Sequence, residues 1–263
     1  MISICTFTLG RTYYLDRLIV SVIESARSYA GEVEHHIGFQ GVCPADSTLA
    51  LLRNHDARGL RFEIHEWPQN LGLSLGMNRI IPSLRGEILI KMDDDCLIQS
   101  RRFFEHVEAV HKLKPLAFFS PFPAGLLGKV VGGVPGSRRR VEYSAMTDTY
   151  YTFRPVTHLG GLCRISPTRL VQGWVLTHNP RGSGNEDTQY SALCRAEGIE
   201  MYYLENALIV EHQETALGQQ IRYEQYFRER CPEAFRHRGA LERAWSSIRR
   251  SGGRALRRLG LRR

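Results

Sequence analysis

Ile88-Leu-Ile-Lys-Met-Asp93-Asp94-Asp95-Cys96 joins a short aliphatic run to three consecutive carboxylates. A run of that length, set off by Gly86-Glu87, reads as a buried strand. Open α/β sheets gather their ligands at the carboxyl ends of the strands, which is where this strand delivers Asp93, Asp94 and Asp95. Three acids so close repel one another unless a cation or solvent relieves them, and their hard oxygens suit Mg2+ or Mn2+. A solvated acidic turn is the plain alternative, and delivery from a buried strand weakens it.

On either side, short β-branched runs alternate with longer helical patterns. Ile2 to Phe7, Val33 to Phe39, Arg61 to Glu66 and Glu87 to Met92 are strand-like, and Tyr13 to Ala30, Ser47 to His55, Leu71 to Leu84 and Ser100 to Lys112 are helical. That rhythm predicts an α/β fold with a mostly parallel central sheet flanked by helices. After Pro115 the rhythm breaks. Gly and Pro crowd positions 121 to 136, Val141 to Arg154 and Gly160 to Ile165 are strand-prone, and Glu200 to Leu204 and Ala207 to Glu211 read as two short strands. Helical patterns return at Glu186 to Glu197 and Gln219 to Arg228. With no linker in sight, residues 1–235 are expected to form one domain, a nucleotide-binding half 1–115 and an acceptor-side half 116–235, followed by a tail at 236–263.

Three further stretches carry chemistry. Asn70-Leu-Gly72-Leu-Ser-Leu-Gly76-Met-Asn78 opens a helix with small residues, which lets a phosphate approach backbone N–H groups, although the same glycines serve helix packing equally well. Gly182-Ser-Gly-Asn185-Glu186-Asp187 runs a glycine-rich loop into a helix with two acids in its first turn. The helix dipole favours acids there, which explains them as simple capping or as an ionised general base. Ile209-Val-Glu211-His212 ends a strand on a histidine, either a metal ligand or an ordinary polar residue.

The formal charge of +8 first suggests nucleic acid or an anionic membrane as a partner. Its distribution decides between them. Ten arginines from Arg236 to Arg263 stand against the single Glu242, a local charge of +9 that leaves the preceding 235 residues near neutral at −1. A cleft that gripped a phosphate backbone would need positive charge around it, so nucleic acid is not expected. Within the tail Leu241, Trp245, Ile248, Ala255, Leu256 and Leu259 recur at helical spacing, which suits an amphipathic segment lying on an anionic membrane surface, with a solvated disordered tail as the alternative. Six cysteines (Cys5, Cys43, Cys96, Cys163, Cys194, Cys231) without short spacings argue against a zinc cage or a disulfide framework and for a reduced, cytoplasmic setting. The start Met1-Ile-Ser-Ile-Cys reads as a buried strand rather than a secretory signal, and Leu116 to Val134 is interrupted by Pro and Gly too often to span a membrane.

In order, these elements resemble glycosyltransferase family 2 over roughly residues 1 to 215. The opening strand with a Thr-aromatic tip is similar to Thr6-Phe7-Thr8 followed by Arg11; the Asn-x-Gly stretch matches Asn70, Gly72 and Asn78. The Asp-x-Asp motif matches Asp93, Asp94 and Asp95, and the Glu-Asp pair with its downstream Gly and late His matches Glu186, Asp187, Gly198 and His212. The resemblance implies a GT-A fold and an inverting, metal-dependent transfer from a nucleotide-sugar, UDP-linked by preference, to a saccharide or lipid-linked acceptor in cell-surface glycan or polysaccharide synthesis. It implies Mn2+ or Mg2+ held by Asp93, Asp95 and His212, a donor bound by Thr6, Phe7, Thr8, Arg11, Gln40, Asn70, Gly72, Asn78, Asp93 and Asp94, and Asp187 or Glu186 as the base. The family's base-reading Asp after the second strand is replaced by Gln40, which does not identify the nucleotide. The cysteines and the basic tail lead to the expectation of an enzyme in the cytoplasm, peripheral on the inner face of the plasma membrane. A nucleotidyltransferase or a metal-dependent nuclease would use the same Asp cluster and is the alternative reading.

Overall fold

The computed structural model describes residues 1–124, 138–177 and 186–213. The chain opens with β1 (Ile2–Thr8), α1 (Thr12–Arg27), β2 (Val33–Gln40), α2 (Asp46–Asn54), β3 (Leu60–Trp67) and α3 (Gly72–Ile80), then β4 (Ile88–Asp93), β5 (Cys96–Ile98) and α4 (Phe103–Leu113). It continues with β6 (Phe118–Ala124), β7 (Arg140–Ser144), β8 (Thr149–Pro155), β9 (Cys163–Pro167), α5 (Thr168–Gln172), α6 (Glu186–Ala196) and β10 (Met201–His212). The strands form one sheet in the order β3-β2-β1-β4-β9-β6-β10-β8-β7, with β5 paired to β10.

The first half obeys the βαβ pattern: β3, β2, β1 and β4 are mutually parallel. Strands covered on both faces are buried at consecutive positions, as β1 and β2 are along their whole length, β2 with the polar Glu34, His35, His36 and Gln40 among its buried residues. In the second half β9 is antiparallel to both β4 and β6, β10 is parallel to β6, and the β7–β8 hairpin is antiparallel and closes the far edge. The sheet is therefore parallel on one side and mixed on the other. The two short strands expected at 200–204 and 207–211 are a single strand, β10, whose register shifts between Leu204 and Ile209 around Ala207 at φ +67°. The strand expected from Gly160 begins at Cys163, and the helix expected through Leu84 ends at Ile80 and continues as a 3-10 turn, Ile81–Ser83.

Helices cover both faces. On α1 the buried residues Leu15, Leu18, Ile19, Val22 and Ala26 fall at helical spacing and pack with Ile4, Ile37, Ile90, Phe104 and Val107. The opposite face carries Phe7, Met77, Ile80, Leu89, Phe118, Tyr190, Cys194 and Tyr203. Gly76 is there for close approach, since a Cβ on it would stand 2.7 Å from the Phe7 ring. Parallel register aligns Phe7 with Asp93, and antiparallel register aligns Met92 with Cys163 and Cys96 with His212. The ends of β1, β4 and β10 and the start of β9 thus meet at one edge of the sheet.

Candidate active site

The three consecutive acids have three different environments. Asp94 is 3% exposed and is tied to the tip of β1: the Thr8 hydroxyl donates to its Oδ2 at 2.7 Å and the Arg11 guanidinium grips both of its oxygens. The same Thr8 oxygen accepts the backbone N–H groups of Gly10 and Arg11 at 3.0 and 3.3 Å, which turns the chain and aims Arg11 at the acids. Burial pushes the Asp94 carboxyl above its usual pKa, and Arg11 opposes that push. Asp94 with Thr8 and Arg11 is therefore an internal brace that joins β1 to the acidic turn.

Asp95 is equally buried but incompletely satisfied. Its Oδ2 accepts Arg11 Nη1 at 3.0 Å and lies 3.4 Å from His212 Nε2, while its Oδ1 is buried with no hydrogen-bond partner. The end of β10 is fastened here, because the Gln213 backbone N–H donates to the Asp95 carbonyl at 2.9 Å and its amide donates to Cys96 O at 2.8 Å. A histidine 117 residues downstream is thereby brought to the acidic turn. Among the described residues no three His, Cys, Asp or Glu side chains are grouped to hold a metal ion. Mg2+ and Mn2+ sites that are completed by substrate phosphates need only one or two carboxylates. The orphaned Asp95 Oδ1 beside His212 fits that kind of site.

Asp93 turns the other way and a third of its side chain reaches solvent, in contact with Lys91. Burial raises its pKa, an effect Lys91 opposes and Asp95 reinforces. Lys91 is only 1% exposed, and its ammonium lies against Asp93, the Gly161 carbonyl and, at 3.6 Å, Glu186 Oε1. Next to it across the β4–β9 pair sits Arg164, 2% exposed, its guanidinium 3.6 Å from the centre of the Tyr190 ring and both Nη atoms without hydrogen-bond partners. Two buried cations and the carboxylates of Glu186 and Asp93 so link the end of β4 to the first turn of α6. None of Lys91, Arg164 and Tyr190 was singled out from the sequence. The signal was present, since a lysine between Ile90 and Met92 in a strand read as buried demands an anion.

The two acids that open α6 now differ. Glu186 is 3% exposed beside Lys91, whereas a quarter of the Asp187 side chain is open and its Oδ1 accepts the Thr188 N–H at 2.7 Å. The loop Gly182–Asn185 before them lies outside the described residues, as does Gln219–Arg228.

The remaining expected donor residues surround the ends of β1 and β2. Thr6 is buried under the sheet against His35 Nε2 at 2.9 Å, and Phe7 stacks on Trp67 with centroids 6.2 Å apart. Gln40 is buried and its Oε1 accepts the Leu71 N–H at 2.9 Å; Asn70 Oδ1 accepts the Gly72 N–H at 2.8 Å, with Gly72 at φ +72°. Asn78 faces away toward the second half, where its amide makes a two-way pair with the backbone of Leu176 at 2.8 and 2.9 Å. Thr6, Phe7 and Asn78 thus hold the frame, while Gln40, Asn70 and Gly72 shape its rim.

An α/β sheet whose strand ends present an acidic turn opposite an acid-bearing helix is the layout of a GT-A glycosyltransferase. Residues 3–128, just under half of the chain, match the family model described as glycosyl transferase family 2. No curated protein matches the sequence. Among solved structures, residues 1–349 of S. aureus TarS align with a TM-score of 0.57 at 16% identity, covering 81% of this chain and 60% of that one. The same TarS fragment in complex with UDP-GlcNAc gives 0.57 at 15%, with 80% and 57% covered. GalNAc-T7 with UDP, GalNAc and Mn2+ gives 0.57 at 13%, with 81% and 43% covered. At such identities the likeness is one of fold, and the chain spans about 60% of the TarS fragment's length.

Proposed function

We propose that the protein is an inverting glycosyltransferase that moves a sugar from a nucleoside-diphosphate sugar, UDP-linked by preference, to a hydroxyl of a saccharide or lipid-linked acceptor in cell-surface glycan synthesis. The observation that carries this reading is the disposition of acids: Asp93 and Asp95 at the end of β4, and Asp187 at the start of α6, held in one unit by Lys91 and Glu186. The UDP found with TarS and GalNAc-T7 supports the choice of nucleotide.

Asp95 and His212 are the residues that would hold Mn2+ or Mg2+; when bound, the ion would offset negative charge developing on the leaving diphosphate. Gln40 Nε2, the Asn70 turn and the Gly72 N-terminus of α3 are placed to receive the nucleoside, and Asp93 the ribose or sugar hydroxyls. Asp187 is the base: it accepts the proton of the acceptor hydroxyl, whose oxygen forms a bond to the anomeric carbon as the carbon–diphosphate oxygen bond breaks. Glu186, buried against a lysine, positions the helix instead. The +9 tail at 236–263 lies outside the described residues, and its proposed task is to hold the enzyme on the anionic inner face of the plasma membrane. No helix among the described residues is long and apolar enough to cross a membrane.

The experiment is a pair of variants read by UDP release from UDP-GlcNAc, with water as the surrogate acceptor that takes the sugar, and by UDP binding. Asp187→Asn is expected to lower UDP release at least 100-fold with UDP affinity unchanged, within the usual range for a general base, about 10²–10⁴-fold. Glu186→Gln is expected to lower melting temperature along with rate. The opposite pattern, with Asp187→Asn near normal, would move the base elsewhere.

A further inference from the structure

The segment between β8 and β9 carries a histidine that the reaction described above does not use. His158 Nε2 lies 3.6 Å from Asp187 Oδ2, and about a quarter of each side chain is exposed. That placement is built. Ser191 Oγ on α6 accepts the Leu159 N–H at 3.1 Å, Arg195 Nη1 donates to the Thr157 carbonyl at 2.6 Å, and the Tyr203 hydroxyl on β10 accepts the Gly160 N–H at 3.2 Å. Gly161 completes the fit, since a Cβ there would stand 3.0 Å from Glu186 Oε1 and 3.9 Å from the Asp187 Cβ. The segment 157–161 is therefore pressed against the first turns of α6, with His158 at the open side.

We propose that His158 is a positioning residue for Asp187, donating its Nε2–H to Oδ2 in the loaded enzyme; the inference rests on Asp187 being the base. The Thr188 N–H already holds Oδ1, but a carboxylate held at one oxygen still rotates about its χ2 axis. A second donor on Oδ2 fixes the carboxylate plane and leaves the other lone pair of Oδ2 for the acceptor hydroxyl. A separation of 3.6 Å is too long for a hydrogen bond, and catalytic contacts of this kind shorten when substrate arrives. Among the described residues, the charged and titratable groups packed against the segment around His158 are Asp187 and Arg195 on α6 and Tyr203 on β10, with Glu186 and Lys91 behind Gly161. Asp187 is the acceptor within reach.

The test uses the full chain with UDP and Mg2+ bound, and compares wild type, His158→Phe, His158→Gln and Asp187→Asn. Wild type is expected to show a downfield, slowly exchanging imidazole Nε2–H proton resonance, absent from His158→Gln and lost in Asp187→Asn. His158→Phe is expected to release UDP from UDP-GlcNAc at least tenfold more slowly with UDP affinity unchanged. His158→Gln, which keeps an N–H donor, should recover activity to within about threefold. Persistence of the resonance in Asp187→Asn, or His158→Phe turning over within twofold of wild type, overturns the assignment. Normal UDP release by Asp187→Asn is a separate result that removes the base reading itself. Equal losses in the Phe and Gln variants, with lowered melting temperature in both, reduce His158 to a packing residue and likewise overturn the proposal.

Discussion

Asp93, Asp94 and Asp95 are indistinguishable as letters, yet one reaches solvent, one is consumed by Thr8 and Arg11, and one keeps an orphaned oxygen beside His212. Sequence placed all three at the site because a strand end with three acids has few other readings. The resemblance assigned Asp95 to the metal and Asp93 to the ribose or sugar, but sequence did not reveal their environments, because the partners come from Arg11, more than 80 positions upstream, and His212, well over 100 positions downstream. Asn78 and Phe7 show the same limit: both stand in the right motif, and both are spent on Leu176 and Trp67. Glu186 and Asp187 were separable only by burial. Lys91 is the residue whose removal should report most on this arrangement. Breaking a buried pair leaves a charge uncompensated at roughly 3–5 kcal/mol, and the partial exposure of Asp93 reduces that to about 2–3 kcal/mol for Lys91→Met. In denaturant titrations the double variant Lys91→Met/Glu186→Gln should lose less than the sum of the two single changes. Additive losses would show that the buried contact carries no coupling.

At the scale of elements, the parallel half was legible almost strand for strand, because βαβ units advertise themselves by alternating periods. The second half was less so. A strand that carries a bulge looks like two strands with a turn between them, and Glu205-Asn206-Ala207 inside β10 is polar enough to mimic that turn. The start of β9 was misplaced because Gly160 and Gly161 are adjacent to it but serve other contacts, Gly160 lying beside the Tyr203 hydroxyl and Gly161 making the close approach to Glu186. The basic tail is an element known from its sequence alone. Attraction of about 1 kcal/mol per arginine near an anionic surface makes its contribution large at low salt. Truncation after Phe235 should therefore abolish co-sedimentation with phosphatidylserine vesicles and leave UDP binding intact. Undiminished vesicle binding by the truncated chain would refute the anchor.

For the molecule as a whole, β1 and β2 conceal groups whose protonation opposes folding. His35 is fully buried against Thr6, and burial, then His36, lower its pKa to about 3. Glu34 would be raised by burial, but hydrogen bonds from Ser3 and Arg85 hold it down at about 2. Both native pKa values lie below those of the unfolded chain, so the unfolded state binds more protons in acid. The His35 contribution is complete above about pH 6.5 and is lost as pH falls toward 3; the Glu34 contribution is complete above about pH 4.5 and is lost toward 2. Within its window each such proton weakens folding by up to about 1.4 kcal/mol per pH unit. Urea midpoints are expected to fall steadily from pH 7 to pH 4, and a flat profile would show that His35 is accessible to protons in the native state.

The proposed function requires that the edge formed by β1, β4 and α3 receive a nucleoside diphosphate together with a divalent ion. Ligand binding to the native state alone raises stability by about 2.7 kcal/mol at a hundredfold excess over Kd. For a chain of this size that amounts to a rise in melting temperature of roughly 5–10 °C. The decisive measurement is the melting temperature with UDP, GDP or CMP, each with and without Mn2+, in wild type and Asp95→Asn. A nucleotide site at this edge gives a UDP-dependent rise that Mn2+ enlarges and that Asp95→Asn loses; no shift with any nucleotide in the presence of Mn2+ would rule the site out.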